Sequence, residues 1–142
     1  ALGRLVRAGA RVVIVTNQQG VARGLIRTED LEDINVRLRA DAKAAGGEIA
    51  GIYVCPHIAG TCDCRKPAPG LFHQARREIP GIAFGHSVVV GDSASDVEAG
   101  RRIGSRTIQI ERDGVERITG TDGYARSLPD AVDRFILPWL TP

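Results

Sequence analysis

His86-Ser-Val-Val-Val-Gly-Asp92-Ser-Ala-Ser-Asp96 is the stretch that decides the fold. Its apolar run reads as a short buried strand over His86 to Val90. Gly91-Asp92 leaves that strand, and a helix follows from about Ala94 to Ile103, with Gly104 placed to cap its C-terminus. A strand that hands a carboxylate to a loop and then runs into a helix is half of a β-α-β unit. The pattern recurs on both sides. Upstream, Arg11-Val-Val-Ile-Val-Thr16 is a strand ending in polar residues. From Thr28 a helix carries Leu31, Ile34, Leu38, Ala42 and Ala45 at helical spacing before Gly46-Gly47 stop it. Ala50 to Cys55 reads as a second strand. A helix beginning near Pro69 has Leu71, Phe72, Ala75 and Ile79 on one face and ends at Pro80-Gly81. Downstream, Arg106 to Ile110 is a fourth strand, 111–126 is polar loop, and Ser127 to Leu137 is a short helix stopped by Pro138.

Strands alternating with helices predict an α/β protein: a doubly wound, Rossmann-like parallel sheet with helices on both faces. In such sheets ligands bind beyond the carboxyl ends of the strands. Thr16-Asn17, Cys55 and Asp92 all follow strand ends, so they are expected on a single rim.

Composition narrows the class. The 142 residues are 43% hydrophobic and 25% charged, which suits one compact domain over 1–142 and excludes fibrous, disordered and coiled-coil chains. No apolar run approaches the roughly 20 residues of a membrane helix. A net charge of +2 and an aromatic content of 4% give no footing for nucleic acid or an anionic membrane as partner. The chain contains no Met and opens on Ala1-Leu2-Gly3, which reads as a processed chain or a fragment.

Four clusters carry chemistry. Cys55-Pro-His57-Ile-Ala-Gly60-Thr-Cys62-Asp-Cys64 places three thiols and an imidazole within ten residues, the number and type that close a tetrahedral zinc site. An odd, crowded cysteine set makes a poor disulfide framework, so a reducing, cytoplasmic setting is expected. Asp92 and Asp96 suit a hard cation such as Mg²⁺ at the rim; equally, Asp92 ends a strand and Asp96 complements a helix N-terminus. Arg65-Lys66 follows the cysteine loop, which would fix two cations where an anion could meet them. Thr16-Asn17-Gln18-Gln19-Gly20-Val21-Ala22-Arg23-Gly24 offers a hydroxyl, backbone N–H groups and an arginine to an anion. His73 reads as helix surface and His86 as a strand start.

Taken in order, V-V-I-V-T-N-Q-Q-G-V-A-R-G, C-P-H-x4-C-D-C-R-K-P-A-P-G and V-V-V-G-D-S-A-S-D resemble the haloacid dehalogenase superfamily of phosphatases. Within it they resemble the zinc-loop group, whose members act on heptose 1,7-bisphosphate or histidinol phosphate. The resemblance runs from about Leu2 to Ile110. It implies a Mg²⁺-dependent phosphatase that cleaves a sugar-phosphate monoester through an aspartyl-phosphate, with a small phosphorylated molecule as its partner. It further implies that Thr16 bonds the transferring phosphoryl group and Lys66 neutralises it. Asn17 and Arg65 would hold substrate, Asp92 would ligate Mg²⁺ with Asp96 supporting it, and Cys55, His57, Cys62 and Cys64 would bind zinc in a loop, 55–64, inserted after the second strand.

Two departures matter. The family's Asp-x-Asp-Gly-Thr motif, which supplies nucleophile and acid/base from a central strand, does not occur in these residues. An N-terminal piece is therefore expected to be missing, leaving a groove of unpaired backbone, and a catalytically inactive, zinc-stabilised binding module is the alternative reading. Gln19 also stands where Ser is expected.

Overall fold

The structure is a computed structural model describing residues 1–140. The chain runs through α1 (Leu2–Arg7), β1 (Val13–Asn17), α2 (Thr28–Ala44), β2 (Gly51–Cys55), α3 (Gly70–Glu78), a 3₁₀ turn (Phe84–His86) and β3 (Val88–Gly91). It continues with α4 (Ala94–Arg102), β4 (Arg106–Ile110), β5 (Gly123–Ala125) and α5 (Leu128–Ala131), which passes through a π turn (Val132–Ile136) into α6 (Leu137–Leu140). Every strand pair is parallel, as the alternation of strands and helices predicts.

The parallel strands fall into two sheets, in keeping with the expected groove of unpaired backbone. β1 pairs only with β2, whereas β3, β4 and β5 form a second sheet in that order. The backbone shows where the open edges lie. Val12 accepts from Ala50 and Gln18 donates to Cys55, so the even residues of β1 face β2 and Val13 and Val15 face away. Likewise Ser87 accepts from Arg106, which turns Val88 and Val90 to the open side of β3. The two edge strands are half-buried along their whole length, while β4 buries Thr107, Ile108 and Gln109 completely.

Each sheet has its own core. Ile108, Ala125, Ala131, Val132 and Ile136 pack with Leu5 of α1, and Tyr53 and Cys55 pack with Leu71 and Ala75 of α3. Leu71, Phe72 and Ala75 lie on the buried face that their spacing predicts. Helix α2 departs from expectation: it spans the predicted residues, but only Ala42 is buried, and Ile34 and Leu38 are exposed. The periodic stripe exists without an element beneath it.

Several local readings also change. β5 lies inside the stretch read as loop. A three-residue strand is too short to show periodicity, and it is held by Ile108 to Ile110 on β4 and by Asp122, which accepts from the Thr107 N–H at 2.7 Å. Helix α1 is likewise too short for its pattern to register. Pro138 does not stop the last helix, because the wide π turn precedes it and the chain is helical again from Leu137. His86 belongs to the 3₁₀ turn, and His73 packs edge-on against Phe84, with ring centroids 5.5 Å apart.

Candidate active site and metal loop

Thr16-Asn17 closes β1 beside Cys55 at the end of β2, and Asp92 follows β3. From Cys55 the chain turns through a loop poor in apolar side chains, and it is the ligand atoms that gather it. Cys55 Sγ lies 3.5 Å from Cys62 Sγ and 3.2 Å from Cys64 Sγ, and His57 Nδ1 is 3.6 Å from Cys55 Sγ and 3.2 Å from Cys64 Sγ. All four ligand atoms fall within 4.8 Å of one another, so the group could hold a metal ion. A tetrahedral ion with metal–sulfur bonds of about 2.3 Å sets sulfur–sulfur edges of roughly 3.8 Å, close to these spacings.

The thiols' own electrostatics favour a cation. Burial pushes Cys62 up, but hydrogen bonds with the Cys64 side chain and from the Cys64 and Arg65 backbone outweigh it and hold the thiol at about 6. Burial, with the neighbouring Cys55 and Cys62 sulfurs, pushes Cys64 up to about 12. One thiolate forms readily and resists the next, so a divalent ion is what would let all three ionise together. Gly70 lets α3 start directly against this loop, because a Cβ there would sit 2.8 Å from the Asp63 carbonyl oxygen.

Immediately after the loop, Lys66 spans the gap between the two sheets. Its Nζ donates to the Val15 carbonyl at 2.8 Å, on the open edge of β1, and to Asp96 Oδ1 at 2.6 Å, at the start of α4. Asn17 holds the Lys66 backbone from both sides: its Oδ1 accepts from the Lys66 N–H at 3.0 Å and its Nδ2 donates to the Lys66 carbonyl at 3.3 Å. Asn17 thus acts on the lysine's backbone, a role its sequence position beside the expected phosphate does not reveal.

Asp96 is saturated. Its Oδ2 accepts from the Asp92 and Ser93 N–H groups at 3.1 Å each and from Ser93 Oγ at 2.8 Å, while Oδ1 takes Lys66. Burial pushes this carboxyl up, but Lys66 and then Ser93 outweigh it and hold it below the usual carboxylate range. Asp96 and Ser93 also form a capping box on α4, the helix N-terminal role that the sequence offers for Asp96. Gly91 makes room for it, since a Cβ there would fall 2.3 Å from Asp96 side-chain atoms. Gly91→Ala is expected to push Asp96 off Lys66 and to destabilise the protein by about 2 kcal/mol or more, in the range of overpacking a tight site. Urea unfolding measures it, and an unchanged midpoint would contradict this geometry.

Asp92, by contrast, keeps its carboxylate at the rim. Its side chain is 40% exposed and its ion-pair partner is Arg112 on the loop after β4, Nε to Oδ2 at 2.5 Å. The sequence reading misses Arg112, which is 20 residues away and belongs to no motif. Asp92 has a carboxylate available to a hard cation, and Asp96 has none to spare. Arg65 is placed beside Lys66 with its Nη1 buried and without a hydrogen-bond partner. Thr16 Oγ1 accepts from Gln18 Nε2 at 3.4 Å.

Parallel strands with such polar ends define a Rossmann-like α/β fold, and residues 63–132 match the HAD-hydrolase-like family. The chain is 39% identical over 122 residues to a D-glycero-beta-D-manno-heptose-1,7-bisphosphate 7-phosphatase of Pseudomonas putida, covering 82% of this chain and 67% of the relative. It is 34% identical over 142 residues to the enzyme of that name from Yersinia pestis, covering 92% and 75%. The solved structure of D,D-heptose 1,7-bisphosphate phosphatase from B. bronchiseptica, complexed with magnesium and phosphate, superposes with a TM-score of 0.84 at 29% identity, covering 96% of this chain and 80% of that one. The chain belongs to the haloacid dehalogenase-like family of phosphatases. Against five curated relatives named as heptose bisphosphate phosphatases, the matched part amounts to 56–67% of the relative's own length.

Proposed function

We propose that these residues form the phosphate- and cation-binding rim of a Mg²⁺-dependent phosphatase that hydrolyses a sugar-phosphate monoester, most like D-glycero-D-manno-heptose 1,7-bisphosphate at its 7-position. Histidinol phosphate is the alternative substrate. The observation that carries the reading is the cationic group at the rim: Lys66 held by Val15, Asn17 and Asp96, next to a buried Arg65 nitrogen with no partner. A phosphoryl group is the dianion that such a pair would neutralise.

Thr16 then donates its hydroxyl to a phosphoryl oxygen, Lys66 offsets that group's charge, and Arg65 binds the substrate through the nitrogen now left unsatisfied. Asn17 fixes the lysine's backbone. Asp92 would hold Mg²⁺, whose charge lowers the repulsion between an attacking carboxylate and the phosphate. Asp96 orients Lys66 and the Asp92 backbone and does not ligate. Cys55, His57, Cys62 and Cys64 would hold zinc, a structural ion with no open position, in a loop (55–64) within a single domain. Free thiols fit the reducing cytoplasm. No helix among the described residues is long and apolar enough to cross a membrane.

The aspartyl-phosphate route also needs two carboxylates that no Asp-x-Asp-Gly-Thr in this sequence supplies. The second reading is a zinc-stabilised anion-binding module, which the gathered Cys55, His57, Cys62 and Cys64 also support. Phosphate release from heptose 1,7-bisphosphate and from histidinol phosphate separates the two. Under the phosphatase reading, Asp92→Asn lowers release by about 10²–10³-fold, the cost of losing one well-placed electrostatic group. Release as fast as the parent's would remove Asp92 from the metal role, and binding of phosphate without any release would favour the module.

A further inference from the structure

The contact that the family pattern does not account for is Arg112 on Asp92. Arg112 lies two residues beyond β4, at the start of a loop that is unusually well tied down. The buried Gln109 side chain donates to the Glu116 carbonyl at 2.9 Å and accepts from the Ile118 N–H at 2.8 Å. Arg117 pairs with Glu111 at 2.7 Å and lies 4.8 Å from the centre of the Tyr124 ring, whose hydroxyl donates to the Ile118 carbonyl at 2.8 Å. The loop that carries Arg112 is thus fixed by a buried amide, while the Arg112 side chain itself is 66% exposed.

Arg112 Nε lies 2.5 Å from Asp92 Oδ2, and both side chains are largely open to solvent. An exposed pair of this kind is weak, so a divalent cation on the same carboxylate oxygen displaces it readily. The freed guanidinium would then stand on a fixed loop beside Asp92, just beyond the end of β3, where a phosphate brings the negative charge that Asp92 no longer offers.

We infer that Arg112 is a shared partner: it neutralises Asp92 while no cation is bound, and it binds the substrate's phosphate once the cation has taken Asp92. This rests on the reading of Asp92 as the cation ligand. It makes Arg112 a substrate-binding residue whose availability depends on the metal, and it gives the loop after β4 a part in ordering the binding of cation and then phosphate.

Two opposite effects in one variant test it. Binding of Mg²⁺ alone and of inorganic phosphate at saturating Mg²⁺ is followed through the backbone amides of Gly91 to Ser93 by NMR, with the Arg112 Nε–H resonance as a direct reporter. Mg²⁺ should release that Nε–H to rapid solvent exchange in the parent protein. In Arg112→Ala, Mg²⁺ should bind about two- to fivefold more tightly, the competition of an exposed pair having gone. Phosphate should bind about tenfold more weakly, a charge-assisted contact having been lost. Arg112→Lys should keep the competition and recover only part of the phosphate binding, because an ammonium lacks the planar fork. A variant that weakens both ligands indicates a structural role and overturns the inference; so does one that changes neither. Asp92→Asn separates the two levels. If it leaves Mg²⁺ binding intact, the reading of Asp92 fails, whereas if it abolishes Mg²⁺ binding and Arg112→Ala is silent, only the inference about Arg112 fails.

Discussion

Stripping the metal from the Cys55–Cys64 loop is expected to unfold the loop and, with it, the cationic end of the rim. The loop has little else to order it: Cys62 and Cys64 touch the small core around Tyr53, Leu71 and Ala75, but Ile58 is 41% exposed and His57 is held by sulfur alone. In small metal-ordered domains the ion contributes about 10–16 kcal/mol of apparent binding energy, which is folding energy for the segment that binds it. We therefore expect one zinc per chain in protein purified under reducing conditions. We also expect amide protection across 55–66 to fall to the level of free loops when a chelator removes the ion. Cys55→Ser should have the largest effect of the four ligand changes, because Cys55 is fully buried and belongs to β2 as well as to the cluster. Arg65 and Lys66 follow the last ligand directly, so phosphate binding should be lost together with the metal. Hydrogen exchange before and after chelation decides the matter, and unchanged protection over 55–66 would show that the loop is ordered by packing.

Lys66→Met is expected to destabilise the protein by about 3–5 kcal/mol at neutral pH, the cost of leaving one member of a buried ion pair alone. Asp96 is 6% exposed, and the Lys66 side chain is nearly as buried, so water cannot take over from the ammonium. The pH dependence gives this prediction its sign. With Lys66 present, the folded state holds the Asp96 carboxyl below its unfolded value of about 3.9, so the pair's contribution is complete above that value and is lost as the pH falls through the folded one. In the methionine variant burial acts against the charge, and protonation relieves it. The stability gap between parent and variant should accordingly be widest near pH 7 and narrow towards pH 4. Urea unfolding at the two values tests it, and a gap independent of pH would mean that packing by the lysine stem, and not its charge, is what the protein uses.

Much of this was legible in the sequence because it is local. A run such as Val88-Val-Val-Gly-Asp92-Ser followed by a helical stretch specifies strand, loop and cap within a dozen residues, and the structure places β3 and α4 there with only their ends shifted. The Cys/His cluster was legible for the same reason, its four side chains being crowded into ten residues. What escaped was non-local. The Arg112–Asp92 pair depends on two loops that meet only when β3 and β4 align, and the Asn17 clamp depends on a backbone 49 residues away. The stripe on α2 is a pattern without a buried face, because periodicity reports what a helix can cover and says nothing of whether anything lies there.

Lys66 has one more consequence, for mechanical coupling. Its ammonium bonds the Val15 carbonyl on β1 and the Asp96 carboxylate at the start of α4, so a shift of either sheet is felt at the other through one side chain. Anything that competes for that ammonium acts on both sheets at once.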